Sequence, residues 1–209
     1  SVLTPFRNGE ADILIGTQMI VKGHDFPNVT LVAALAADMS LYAGDYRSSE
    51  RTFELLMQAS GRAGRAEKAG EVVIQTYNPE EYSIQAVAGQ DAEYFYENEL
   101  AFRRLMKYPP YSQMAAILIL SEEENEAKTL SEKLAENIHS VCGDAVTLIG
   151  PSKAGLSRAK DRYRYVLYVK SMNEEAMACI REIAEEANRR VANQKTCSVQ
   201  YDRDPVNGY

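Results

Sequence analysis

The apolar residues of the first third of the chain fall into short continuous runs. Residues 11–16 (ADILIG), 29–37 (VTLVAALAA) and 71–76 (EVVIQT) are each bounded by polar or glycine-containing segments. A run of this length that does not alternate reads as a strand of a parallel sheet, because such strands are covered on both faces. Between the second and third runs, residues 48–60 place Phe53, Leu55, Leu56 and Ala59 at helical spacing. Ser48 or Ser49 is the expected cap. Residues 61–70 hold Gly61, Gly64 and Gly70 and read as a loop, and Asp38 follows the second strand at its carboxyl end. Strands alternating with a helix predict an α/β layer.

The pattern then changes. Residues 79–107 read as a pair of helices, with Asn78-Pro79 at the expected start. Tyr108-Pro109-Pro110-Tyr111 breaks that pattern and is the expected boundary. Beyond it, residues 114–120 predict a strand, and 122–141 an acidic amphipathic helix with Ala127, Leu130, Leu134 and Ile138 on one face. Residues 146–149 predict a short strand. In the strand predicted over 163–169, Tyr163, Tyr165, Leu167 and Val169 share one side. Residues 173–191 predict a helix capped by Asn173, and 197–201 a last strand. The order β-α-β-β-α-β is the ferredoxin-like arrangement. The expected organisation is therefore 1–78, a helical connector 79–113, and a carboxyl-terminal domain 114–209.

Composition adds exclusions. Over 209 residues, 45% apolar and 25% charged residues are ordinary for a folded globular chain and exclude wholesale disorder, collagen and a disulfide scaffold. The longest apolar stretches are far below the roughly 18–20 residues of a membrane helix, and no charged segment followed by an apolar one opens the chain. No membrane association and a cytoplasmic location are expected. Cys142, Cys179 and Cys197 are scattered singly with no CxxC pair, which fits free thiols in a reducing compartment and offers no zinc site. His24 and His139 stand at no spacing that would join them to these cysteines around a metal. The net charge of −7 makes the chain as a whole a poor non-specific nucleic-acid binder. Locally the balance reverses: Lys153, Arg158, Lys160, Arg162 and Arg164 share residues 153–164 with one acid, Asp161. Gly150-Pro151 marks this stretch as a loop, leading into Tyr163, Tyr165 and Tyr168. Basic residues interleaved with aromatics can pair with phosphates and stack on bases, although a solvated loop with core tyrosines has the same composition.

Two segments carry candidate chemistry. The first, Gly16-Thr17-Gln18-Met19-Ile20-Val21-Lys22-Gly23-His24-Asp25-Phe26-Pro27, begins at the carboxyl end of a predicted strand, where open α/β sheets place ligands. Thr17 offers a hydroxyl to a phosphate oxygen, Gly23 permits close approach, and Asp25 can accept from a ribose hydroxyl. The second, Gln58-Ala59-Ser60-Gly61-Arg62-Ala63-Gly64-Arg65, sets two arginines about one turn apart at a helix end. Guanidinium forks suit the oxygens of a transferring phosphoryl group.

In this order and on these elements, the two segments resemble motifs V and VI of superfamily-two helicases. The wording TQMIVKGHDFPNVTLV followed by QASGRAGRAEKAGEVVIQT is similar to the PriA family of primosomal replication-restart helicases. The YPPY break, the basic segment ending RYRY and the late Asp202-Arg203-Asp204-Pro205 extend that resemblance over nearly the whole chain. It implies a partial RecA-like helicase lobe two, with a parallel sheet, followed by an α+β ferredoxin-like domain. It implies an ATP-dependent 3′-to-5′ DNA helicase that recognises stalled or branched forks and restarts replication by primosome assembly. Residue by residue, Thr17 would contact the DNA backbone, and Gly23 and Asp25 would lie beside the ATP ribose. Gln58 would touch nucleotide or order its loop. Arg62 and Arg65 would reach the β- and γ-phosphates, one of them as the arginine finger. Lys153, Arg158, Lys160, Arg162 and Arg164 would contribute to DNA binding. The implied partners are branched or single-stranded DNA, primosome proteins and single-stranded-DNA-binding proteins, with the chain a monomer.

The departures are as informative. The 209 residues contain no GxxxxGK[ST] phosphate loop, no DExH run and none of the family's paired zinc-binding cysteines. ATP and Mg²⁺ would be completed by an amino-terminal lobe, and zinc would be held upstream. Ser1 rather than Met at the start is read as an internal boundary of something longer. Two alternatives stay open: a non-catalytic DNA-binding module, and another superfamily-two helicase with an unrelated ferredoxin-like domain.

Overall fold

In the computed structural model, residues 3–17, 26, 28–42, 44–63, 70–159, 161–192, 196–206 and 208–209 are described. The chain divides into two units, Ser1–Glu99 and Leu100–Tyr209. The division falls inside the segment expected as a connector, within a continuous helix.

In the first unit a short helix, α1 (Leu3–Arg7), precedes strand β1 (Leu31–Ala34); helices α2 (Asp38–Leu41) and α3 (Ser48–Ser60) lead to strand β2 (Glu71–Ile74), followed by α4 (Tyr82–Gly89) and the first half of α5 (Ala92–Met106), whose second half belongs to the second unit. β1 and β2 pair in parallel, Leu31 opposite Glu71 through Ala34 opposite Ile74. A parallel pair requires a crossover between its strands, and α2 and α3 supply it. Phe53, Leu56, Ile84, Val87 and Phe95 form the core of this unit. Phe53 and Phe95 lie stacked, 4.1 Å between centroids and 1° between planes.

Three expectations need correcting here. Residues 11–16 are not a strand: Ile13 and Ile15 are 77% and 88% exposed. A strand exists by its ladder of backbone bonds, and among the described residues β1 and β2 bond only each other. The cap of α3 is Arg47 rather than a serine; Ser48 Oγ donates backwards to Asp45 O at 2.8 Å. Pro79 does not start α4, which is capped by Glu81, whose carboxylate accepts from Ser83 N at 2.8 Å and Ile84 N at 3.3 Å.

Asp38 is buried, 6% exposed, at the carboxyl edge of β1. Its carboxylate accepts from Thr76 Oγ1 at 2.5 Å and Tyr77 N at 2.9 Å, so it joins the two strand ends. The Thr76 bond first, then the Tyr77 amide, hold its carboxyl below the ordinary value of 3.8.

The second unit contains strands β3 (Gln113–Ser121), β4 (Thr147–Ala159), β5 (Arg162–Ser171) and β6 (Cys197–Arg203) with helices α6 (Glu124–Cys142) and α7 (Glu174–Val191). The antiparallel sheet runs β4-β5-β3-β6. Sequence order β-α-β-β-α-β on that sheet is the ferredoxin-like topology the sequence predicts. β3 is buried on both faces. Ala115, Ile117 and Ile119 meet the helix layer with Tyr165, Leu167 and Val169, while Ala116 and Leu118 meet Ala154 and Val166 on the other side. α6 turns Ala127, Ser131, Leu134 and Ile138 inward. Ser131 is tolerated there because its hydroxyl donates to Lys128 O at 2.7 Å. Asn173 caps α7, its Oδ1 accepting from Glu175 N at 2.8 Å and Ala176 N at 3.4 Å.

Within this unit, the stretch from Met106 to the YPPY segment is tied to the sheet through Lys170. Lys170 Nζ donates to Met106 O at 2.8 Å and stands 4.1 Å from the Tyr108 ring centroid, an arrangement that gives a buried ammonium both a carbonyl and a π face. On the face away from the helices, Tyr209 N donates to the Tyr168 hydroxyl at 2.8 Å, and the Tyr209 hydroxyl donates to Asp202 Oδ2 at 2.5 Å. Burial, then the Asp202 bond, push the Tyr209 phenol up to about 12. Among the described residues no helix is long and apolar enough to cross a membrane.

Because the Asp38 carboxyl titrates lower in the fold than in the unfolded chain, its stabilisation is complete above the ordinary value of 3.8 and is lost as pH falls below it. Asp38→Asn is therefore expected to flatten the difference in urea midpoint between pH 7 and pH 3. An equally steep difference in the variant would remove Asp38 as the cause.

Candidate functional site

Of the residues expected to meet nucleotide, Gln58 and Arg62 sit at the carboxyl end of α3. That helix is fixed at both ends and along one side. At its start Asp45 pairs with Arg51 and accepts from Arg47 N at 2.8 Å. Along the helix, the fully buried Thr52 hydroxyl bonds Ser48 O at 2.8 Å and Ser40 Oγ at 2.9 Å. Phe53, Leu56 and Ala59 are buried. At its end the backbone tightens: Gly61 N donates to Met57 O at 3.0 Å, Arg62 N to Ala59 O at 3.0 Å and Ala63 N to Ser60 O at 3.2 Å. The last two, spanning three residues, satisfy carbonyls that the helix would otherwise leave unpaired.

Gln58 is exposed and Arg62 half-buried, so one anchored helix end carries both. Thr17 is exposed, in a stretch without regular secondary structure. Gly23, His24, Asp25 and Arg65 lie outside the described residues. The structure thus brings Gln58 and Arg62 onto one helix end. Among the described residues no three His, Cys, Asp or Glu side chains gather as a metal site. Sequence reasoning notices Asp38 only by its place after a strand; the missing signal is its pairing with Thr76, 38 positions away.

The basic segment of the second unit differs from expectation. Residues 153–159 and 162–164 belong to strands β4 and β5, not to a loop, and Asp161, with φ 61°, lies between the two strands. Gly150-Pro151 does not end β4. Gly150 takes φ 99°, and a Cβ there would stand 3.0 Å from Val166 O, so only glycine lets the strand pass this point. The register shifts there and again between Lys153 and Arg158. Across the second shift, residues 154–157 face Arg164 alone, forming an extended bulge. Two groups hold it: Arg164 Nη1 donates to Leu156 O at 3.1 Å, and Gly155 N donates to Tyr209 O at 2.8 Å. Leu156 is left 60% exposed.

Strand geometry splits the basic run. Lys153 stands opposite Tyr165 and Arg158 opposite Tyr163, so both lie on the helix side. There the Lys153 ammonium pairs with Glu124 at 2.5 Å, a bond that holds the Glu124 carboxyl below and the Lys153 ammonium above their ordinary values. The Arg158 guanidinium lies 5.2 Å from the Tyr163 ring centroid and 3.5 Å from Asp161. Arg164 alternates to the other face, with Val166 and Tyr168. Arg162, at the strand start, is half-buried, and Lys160 lies outside the described residues. The tyrosines are likewise divided. Tyr165 and, in part, Tyr163 pack into the helix-side core, while Tyr168 bonds Tyr209.

Comparison with known proteins agrees with this two-part construction. Residues 1–67 match the model of the helicase conserved C-terminal domain, and residues 104–206 match that of the primosomal protein N C-terminal domain. Replication restart protein PriA of Bacillus subtilis is 46% identical over 204 residues, 98% of this chain and 25% of that protein. The proteins of the same name from Synechocystis and Chlamydia trachomatis are 42% and 33% identical over 81% and 99% of this chain, and 20% and 27% of their own lengths. The chain thus spans about a quarter of the length of the curated relatives it matches. With the helicase match covering the Gln58–Arg62 helix end and the primosomal match covering the bulged hairpin, this chain belongs to the PriA family.

Proposed function

We propose that this chain is the carboxyl-terminal part of an ATP-dependent DNA helicase of 3′-to-5′ polarity, which recognises stalled or branched forks and restarts replication by primosome assembly. The observation that carries the reading is the QASGRAGR segment. Its described part ends a helix anchored at Asp45, Thr52 and Phe53, and it falls within the helicase-domain match. A guanidinium held on a rigid element needs no reorganisation when charge develops on a phosphoryl oxygen. In this reading Arg62 and Arg65 meet the β- and γ-phosphates of ATP and Gln58 orders the same loop. Gly23 and Asp25 meet the ribose, and Thr17 meets the DNA backbone. The phosphate loop and the Mg²⁺ ligands come from a segment other than these 209 residues, as do the zinc ligands. When bound, ATP supplies the phosphoryl transfer that drives translocation. Primosome proteins and single-stranded-DNA-binding proteins are the proposed protein partners, the chain acting as a monomer in the cytoplasm.

The second reading, a DNA-binding module without catalysis, is favoured for the 209 residues taken by themselves, since they contain no GxxxxGK[ST]. The two readings meet in one expectation: the chain alone binds DNA and does not hydrolyse ATP. DNA-stimulated phosphate release by the purified chain would overturn it.

Substituted for the matching quarter of the Bacillus subtilis relative, the chain is expected to support DNA-stimulated ATP hydrolysis. There Arg62→Ala or Arg65→Ala should lower turnover by a factor on the order of 10³ to 10⁵ for whichever is the finger, with DNA binding retained. Turnover that survives both substitutions together would sink the helicase roles given to them.

For the hairpin, Arg158→Ala combined with Arg162→Ala is expected to weaken binding to branched DNA. The slope of log affinity against log salt should become shallower by about 0.9 for each duplex phosphate that the variant no longer neutralises. Arg164→Ala also releases the Leu156 carbonyl, so it should lower the thermal midpoint as well as affinity. A double variant with an unchanged salt slope would refute a phosphate role for Arg158 and Arg162.

A further inference from the structure

Two of the three cysteines, far apart in sequence, are brought to one end of the second unit by its topology. β3 and β4 both run antiparallel to β5, so α6 must run back against β3 to join them; α7 likewise runs back against β5. The two helices are therefore antiparallel, and the last turn of α6 meets the first turns of α7. Cys142 is the final residue of α6, and Cys179 lies near the start of α7. The same end is tied by a separate bond: Ser171 Oγ, just before α7, donates to Ala145 O, just after α6, at 2.7 Å. The Asn173 cap then fixes where α7 begins. The two thiols are near enough to perturb one another, neither is in a disulfide, and both are only half-buried. Burial, then the neighbouring Cys179, hold the Cys142 thiol above its ordinary range. The third cysteine, Cys197, is buried on β6.

We propose that Cys142 and Cys179 form a reversible thiol–disulfide modification site, whose oxidant is a low-molecular-weight disulfide of the glutathione class. One thiol gives up its proton, and its thiolate attacks a sulfur of the external disulfide. That S–S bond breaks, one thiolate equivalent leaves, and a mixed disulfide forms on the protein. The second cysteine thiolate then attacks the protein-side sulfur of the mixed disulfide and expels the second thiolate. In balance, two protein thiols become one disulfide while one small disulfide becomes two small thiols. The bond staples the end of α6 to the start of α7 and encloses residues 143–178, which restricts the unfolded chain more than the folded one. Reducing conditions reverse both steps. The site uses none of the residues given to ATP or DNA, so it stands whether or not the helicase reading does.

The test is to equilibrate the whole chain with glutathione buffers of rising oxidised fraction, quench with N-ethylmaleimide, and map the peptides by mass spectrometry without reduction. The expected product links the Cys142 and Cys179 peptides, loses two alkylatable thiols together, and leaves Cys197 to be labelled only after unfolding. Its thermal midpoint should shift upward and return on adding dithiothreitol. Cys142→Ser and Cys179→Ser should each stop at a stable glutathione adduct on the remaining partner. The proposal is overturned if the unaltered chain accumulates glutathione adducts without the cross-link. It is equally overturned if both thiols stay alkylatable across the whole series, or if the cross-link recovered involves Cys197.

Discussion

Everything in the second unit is placed by the burial of β3 on both of its faces. A strand with both faces covered and both edges paired has no freedom of register. A slip of one residue would exchange Ala115, Ile117 and Ile119 with Ala116 and Leu118 and mismatch both layers at once. β5 and β6 take their positions from its two edges, and α6 and α7 from the row of side chains on one face. The segment after β6 is zipped to the beginning of the same strand, Asp204 N donating to Met114 O at 2.7 Å. The bulged hairpin and the docked YPPY segment are attached to this frame and do not build it.

How much of this is legible in the sequence depends on how local the deciding interaction is. α3, α6 and α7 can be read to within a residue or two because each carries its own buried face in its spacing. The pairing of Asn173 with the first turn of α7 is equally local. Residues 11–16 mislead because an apolar run becomes a strand only beside another strand, and nothing within the run says whether one is there. β4 reads too short for the opposite reason. Its continuation past Pro151 depends on Arg164 and Tyr209, which reach it from across the hairpin and from the far end of the sheet.

The candidate sites divide along the same line. Spacing sets Arg62 and Arg65 about one turn apart after a helix end, a local arrangement, while Gln58 is picked out only by the family resemblance. The basic run is visible as a composition but not as a shape. A loop has no faces, whereas a pair of strands has two, and Lys153 and Arg158 fall on one while Arg164 falls on the other. Glu124, which pairs with Lys153, is 29 positions away and belongs to the helix that reads as acidic and amphipathic. The chain's net acidity and its local basic character are reconciled in that ion pair: part of the acid excess serves to hold part of the basic segment in place.

The bulge opposite Arg164 has one more consequence. Its backbone is held by a side chain from β5 and by a carbonyl from the segment after β6, and that segment is in turn held by Tyr168 and Asp202. The shape of the hairpin is therefore not a property of the hairpin alone. Residues 154–157, residues 164–168 and the segment from Asp202 to Tyr209 share one mechanical joint. Drift at any of them, even at a position that touches no ligand, is constrained by the other two, and the projecting Leu156 is aimed by residues with which it has no kinship in sequence.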